Sequence, residues 1–183
     1  MYFWYKFITY FLYPFAPIYL HIRKLRKKEH DTRYKEKLSK IKVQRDNGIL
    51  VWFHMASVGE AMSILPLIEN CIEEKKIDKI LLTSITLSSG KILEKRYTKN
   101  SKVVHQFLPL DIPIFTKKFI EHWKPNLSIF VDSEIWPNLI FQTKEKKIPL
   151  LLVNARITEK SFKRWKLIKN FAKKIFEKFD LCI

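Results

Sequence analysis

Glycine is scarce in this chain, with three in 183 residues. That excludes the glycine-rich loops with which dinucleotide-binding and P-loop folds cradle phosphate, so any phosphate must be met by side chains and helix ends. Cysteine is scarcer still. Cys71 and Cys182 lie far apart and in no CxxC arrangement, which argues against a zinc site or a disulfide framework and for a reducing compartment. Acid is short as well: 18 Asp+Glu stand against 35 Lys+Arg, a formal charge of +17. The default partners of such a chain are polyanions, whether nucleic acid, an anionic membrane surface or a phosphorylated substrate, and charge alone does not choose among them. Apolar residues are plentiful, at 47%. One domain of ordinary size can bury a core with that content.

The first twenty residues, "MYFWYKFITYFLYPFAPIYL", are apolar and aromatic, and "HIRKLRKK" follows at once. This is a membrane-contact signature over residues 1–22. About 20 apolar residues span a bilayer. However, Lys6, Pro14 and Pro17 interrupt the run, and its Trp, Tyr and Phe suit the interface, so crossing and lying in the surface both remain open. A third reading is an N-terminal helix packed on its own domain. No small-residue cleavage site follows, which argues against a removable signal peptide. The basic run from Arg23 to Lys28 puts the remainder on the cytoplasmic side by the positive-inside rule. Residues 23–47 read as a basic helical segment. Its cations are a solvated face, or they add about 1 kcal/mol each near an anionic leaflet.

From residue 48 onward a β/α alternation takes over. The runs "ILVWF", "KILLTSI", "VVHQFL", "LSIFV" and "PLLLV" are short and β-rich, as strands buried on both faces should be. Helical patterns over 61–75, 88–97, 111–123, 137–147 and 159–178 separate or follow them. The expected fold is α/β, a Rossmann-like parallel sheet with helices on both faces, and "FDLCI" reads as the start of a sixth strand.

Ligands of open parallel sheets bind at the carboxyl ends of the strands. Past the successive runs stand "HMASVGE", "TSITLSSG", "LPLD", "DSEIWPN" and "NARIT", so chemistry-bearing residues recur at that one edge. Ser57 and Glu60 fit the S-x-x-E capping box. A carboxylate at a strand end also suits a general base, and Pro66, which cannot sit inside a regular helix, allows the helix to begin there and leave Glu60 in a loop. Asp132 and Glu134, at i and i+2, lie on one face of an extended segment, as a metal-binding pair or as helix-start acids. Arg156 suits bidentate contact with phosphate or carboxylate, or a buried ion pair with one of those acids. His54 reads as a satisfied strand-end histidine.

Taken together, "FHMASVGEAMSILPLI", "LLTSITLSSG", "FLPLDIP", "DSEIWPNL" and "IPLLLVNARITEKSFKRW" resemble the N-terminal half of the Kdo transferases, the 3-deoxy-D-manno-octulosonic acid transferases of lipopolysaccharide synthesis. The likeness runs in order from about Tyr2, through "RYKEKL", to the last residue. It implies the N-terminal domain of a GT-B glycosyltransferase, inverting and metal-independent, with no cofactor. This half would hold the lipid A precursor, while the donor, CMP-Kdo, is bound mainly by a C-terminal domain beyond these residues. By position, Glu60 matches the glutamate of the family's S-V-G-E motif, the general base. Asp132 stands where the family usually carries the first Glu of E-T-E-x-W-P-N, assigned to transition-state stabilisation. It is shorter by a methylene, and a shift of about 1 Å matters at a reacting centre. Ser57, Gly59, Glu134, Asn138 and Arg156 are the matching acceptor-binding candidates.

The resemblance leaves two readings. In one, this is the acceptor half of an enzyme on the cytoplasmic face of the bacterial inner membrane, inactive alone, its donor domain either separately encoded or part of a longer protein from which this sequence is cut. In the other, it is a non-catalytic remnant that binds anionic lipid. Nucleic acid ranks last, because no recognisable binding module accompanies the charge.

Overall fold

A computed structural model describes residues 1–132 and 134–183. Six strands form one sheet: β1 (Leu50–His54), β2 (Lys79–Ser84), β3 (Val103–Phe107), β4 (Leu127–Val131), β5 (Leu150–Val153) and β6 (Leu181–Cys182). Their order is β3-β2-β1-β4-β5-β6 and every pairing is parallel. All five apolar runs are strands, and "FDLCI" carries the sixth. Alternation along β1 explains why both faces must be covered. Leu50 and Trp52 join a cluster with Phe119, Ile120, Trp123 and Leu139, while Val51 and Phe53 join another with Ala61, Ile64, Ile68 and Leu93.

The helices are α1 (Tyr2–Phe11), α2 (Ala16–Leu25), α3 (Val58–Ser63), α4 (Leu65–Glu73), α5 (Leu87–Tyr97), α6 (Pro113–Trp123), α7 (Pro137–Glu145), α8 (Glu159–Leu167) and α9 (Lys169–Phe176). Two of the expected helical stretches are broken. Residues 61–75 split at Ile64, because Pro66 starts a second helix without ending the first turn that carries Glu60. Residues 159–178 split likewise at Ile168, whose φ of −119° and ψ of 39° leave the helical region.

The N-terminal segment is docked by one face and bare on the other. Tyr2 stacks on Phe141 at 3.7 Å between ring centroids, Tyr5 lies 5.9 Å from the Phe171 ring, and Ala16 and Leu20 are buried with Leu38, Ile112 and Phe115. Phe3, Trp4, Phe7, Ile8, Phe11 and Phe15 face outward. Helix α1 has ten residues, about 15 Å of helix against a hydrocarbon core of about 30 Å. Among the described residues no helix is long and apolar enough to cross a membrane. The packed-helix reading therefore holds for one face, and the aromatic residues of the interfacial reading occupy the other.

Residues 23–47 depart from a helix. Helix α2 stops at Leu25, and only a 3-10 turn at Arg33–Leu38 follows before β1. Charge pairing explains the change. Glu29 is buried between Arg23 and Lys37 at 2.6 Å from each, and the Lys37 ammonium also donates to the Ile85 carbonyl at 3.0 Å. Arg33 forms a fork on Glu36 at 2.7 and 2.9 Å and donates to the His105 carbonyl at 2.8 Å, while Glu36 accepts from the Phe107 N–H at 2.9 Å. These two residues satisfy the free edge of β3, which would otherwise offer a template for foreign strands.

The docked face is fixed by a polar knot. The Asp111 carboxylate accepts from the Tyr5 hydroxyl at 2.8 Å and from the Asn138 and Leu139 N–H groups at 3.1 and 2.9 Å, so it caps α7 from outside the helix. Burial pushes Asp111 up to about 6, against the downward pull of those three bonds. The folded state thus keeps a proton that the unfolded chain, with a value near 3.8, has lost. Stability present below that value declines as pH rises to about 6. The variant D111N should lose this decline, read as the pH dependence of urea-unfolding free energy; an unchanged slope contradicts the upward shift that burial gives Asp111.

Candidate active site

The strand order reverses between β1 and β4, and parallel sheets open a crevice at the carboxyl edge of such a switch point. Both carboxylate motifs lead into it, one from each strand.

On the β1 side, Ser57 is the N-cap of α3, in extended conformation, and its hydroxyl oxygen accepts from the Glu60 N–H at 3.3 Å. The Glu60 carboxylate reaches back. One oxygen accepts from the Ala56 N–H and the other from the Ser57 hydroxyl, each at 2.7 Å. A variant of the capping box has formed, its return bonds coming from the Ala56 N–H and the Ser57 hydroxyl and not from the Ser57 N–H, so Glu60 lies in a helix and not in the loop that Pro66 allowed. The side chain stays half-buried, which leaves its outer face accessible. Gly59 is exposed, and a Cβ built there meets nothing within 4 Å, so the backbone beside the carboxylate borders open space. From the first turn of α5, which follows β2, the Ser89 hydroxyl donates to the Ala56 carbonyl at 3.1 Å and steadies the turn.

On the β4 side the two acids part. Asp132 sits at φ 60°, in the left-handed region that Asp tolerates better than most residues, so the segment is not extended there and the one-face expectation fails. Asp132 lines a cavity of about 280 Å³ with Ile135, Leu152, Arg156, Ile157 and Trp165. Glu134 instead meets His54 Nε2 at 3.3 Å and accepts from the Trp136 indole N–H at 2.8 Å. Burial raises the Glu134 carboxyl, but the His54 and Trp136 contacts outweigh it and hold it below its ordinary range. His54 is fully buried, with Nδ1 3.0 Å from the Thr83 hydroxyl, and is the satisfied strand-end histidine expected of it. Among the described residues no group of three His, Cys, Asp or Glu side chains is placed to hold a metal ion.

Arg156 is exposed, and among the described residues its one hydrogen bond is to Asn154 Oδ1 at 3.4 Å. The buried ion pair is not formed among the described residues, which leaves the guanidinium facing solvent beside Asp132's cavity. Asn138 lies apart from this opening. It is fully buried, with its amide donating to the Asp111 carbonyl at 2.7 Å and to the Thr9 hydroxyl at 2.9 Å.

Residues 32–183 match the family model described as 3-deoxy-D-manno-octulosonic-acid transferase (kdotransferase). The chain belongs to the Kdo transferase family. It is 43% identical over 176 residues to a 3-deoxy-D-manno-octulosonic acid transferase of Rickettsia bellii, covering 96% of this chain and 41% of that protein. Against a probable mitochondrial 3-deoxy-D-manno-octulosonic acid transferase of Arabidopsis thaliana the identity is 38% over 179 residues, 97% of this chain and 40% of the relative. A Rickettsia felis transferase is 48% identical over 134 residues, 73% of this chain and 28% of its own length. The chain thus spans about two fifths of the first two relatives. Within this Kdo transferase domain, Asn154 is a site neighbour that pattern reading passed over. It lies at φ 53° and contacts Ser63 on α3 at 3.4 Å, linking the β5 edge to the helix of Glu60. Its signal was its place immediately after a strand.

If the box holds the Glu60 turn, S57A should lower unfolding free energy by about 1 kcal/mol in urea titration, the usual cost of losing a cap. No change would show that the turn is held by other means.

Proposed function

We propose that this chain is the acceptor-binding half of a glycosyltransferase that moves Kdo from CMP-Kdo to a lipid A precursor such as lipid IVA in lipopolysaccharide synthesis. The observation that carries this reading is the Glu60 carboxylate. Two donors aim it from behind, exposed Gly59 lies beside it, and it stands at the switch-point crevice of a Kdo transferase domain.

In the mechanism, the outer face of the Glu60 carboxylate takes the proton of the acceptor hydroxyl. The acceptor oxygen forms a bond to the anomeric carbon of Kdo as the bond to the phosphate oxygen breaks, and that electron pair departs with CMP. Attack from the face opposite the leaving group inverts the anomeric centre without a metal. The bonds from Ala56 and Ser57 fix the base before substrate arrives, which lowers the ordering cost of reaching the reactive geometry. Asp132 stabilises the transition state from across the crevice, and Arg156 meets an acceptor phosphate. Ser57, Gly59 and Glu134 shape the floor. Asn138 acts from behind, by holding Asp111 and α1 in place.

The donor is bound outside these residues, by a separately encoded domain or by the remainder of a longer protein, and the 183 residues alone do not turn over. The outward aromatic face of α1 and α2, together with the exposed cations Arg26, Lys27 and Lys28, rests on the anionic cytoplasmic leaflet of the inner membrane.

Paired with its donor half, E60Q should lower kcat for Kdo transfer to lipid IVA by about 10²-fold or more, the usual contribution of a general base, while circular dichroism stays unchanged. Turnover retained at the original rate removes Glu60 from the mechanism.

A further inference from the structure

Between the N-terminal helices and the connection from β3 to α6 runs a groove of about 370 Å³. Leu12, Phe15, Ala16 and Tyr19 form one wall, with Leu110 and Ile112 opposite. The polar atoms at its floor are already engaged. The Thr9 hydroxyl donates to the Tyr5 carbonyl at 2.8 Å and accepts from Asn138, and both Asp111 oxygens hold the N–H groups of α7. Apart from the half-exposed Tyr19 the lining offers mainly hydrocarbon, so water gains little there and an apolar chain gains much.

Three observations point to the occupant. The mouth is continuous with the outward aromatic face, since Leu12, Phe15 and Tyr19 are 51%, 62% and 51% exposed while lining the groove. Past the same helix stand the exposed cations Arg26, Lys27 and Lys28, complementary to a phosphorylated headgroup. The floor residue Asp111 caps α7, the helix that follows Glu134 and Trp136, so the groove is tied through the first turn of α7 to the segment that carries Glu134. The volume lies at the small end of ligand pockets, which run from about 300 to 1,000 Å³.

We propose that this groove receives one acyl chain of the acceptor glycolipid, drawn from the bilayer while the headgroup reaches toward the carboxyl edge of the sheet. The proposal rests on the acceptor reading above and adds to it a place for the lipid part of that substrate. Acyl docking sets the depth at which the sugar hydroxyl meets Glu60, so the aromatic face and the groove act as one entry path.

The test uses the 183-residue chain with a lipid IVA analogue carrying a diazirine midway along one acyl chain, in phosphatidylcholine vesicles. After photolysis, adducts mapped by mass spectrometry should fall on both walls, in the peptides holding Leu12 to Tyr19 and Leu110 to Ile112. The exposed-position variants L12E and F15E should reduce them several-fold with the unfolding midpoint unchanged. Adducts confined to Phe3, Trp4 and Phe7 would overturn the groove, as would equal labelling by a diazirine phosphatidylglycerol. Titration with the deacylated phosphorylated disaccharide separates the two ideas. Binding of that headgroup with an unlabelled groove sinks the groove alone, and neither binding nor labelling sinks the acceptor reading with it.

Discussion

A parallel sheet imposes one obligation on this chain: each strand that feeds a helix at the carboxyl edge delivers a helix start whose first N–H groups lack partners. Three of these turns meet it with a hydroxyl cap, and a fourth with a borrowed carboxylate. Ser57 and Glu60 close α3, Thr86 accepts from the Ser89 N–H at the start of α5, and Thr158 accepts from the Ser161 N–H at the start of α8. Helix α7, lacking a side-chain cap of its own, borrows Asp111 from the preceding connection. The polar residues that make this edge look like an active site are there in part because helices must begin there.

That obligation joins two readings of Glu60 that first stood as alternatives. The capping box takes one bond to each carboxylate oxygen and directs the group outward beside Gly59. A cap of this kind is also a way to preorganise a base, because the bonds that satisfy the helix start are the bonds that stop the carboxylate from wandering. The Asp111 knot extends the same economy to the N-terminus. It serves α7, holds Tyr5 of α1 and forms the floor of the groove, so the aromatic face is set at a fixed position relative to the crevice.

The sheet was legible because buried parallel strands read as short apolar runs, and all six are where such runs stand. The cap was legible too, since S-x-x-E carries its own geometry. The breaks at Ile64 and Ile168 were not, because a helix that restarts after one residue keeps nearly the same apolar spacing. Residues 23–47 misled for another reason: helix propensity counts Arg33, Lys37 and Arg45 as solvent-facing, whereas each is drawn to a specific partner, Glu36, Glu29 or the Trp123 carbonyl. Asp132's left-handed backbone separated it from Glu134, a conformation that no residue spacing reveals. The docked face of the N-terminus left a faint trace in Tyr2, Tyr5, Thr9, Ala16 and Leu20, which recur at intervals of three, four and seven and were masked by the surrounding aromatics.

The central claim is that the capped Glu60 carboxylate is the group that meets the acceptor. A crystal structure with lipid IVA bound tests it most directly. The account predicts a sugar hydroxyl about 2.6–3.2 Å from a Glu60 oxygen, with the bonds from Ala56 and Ser57 intact. An acceptor seated with its hydroxyls in the cavity beside Asp132 and Trp165, away from Glu60, would contradict it.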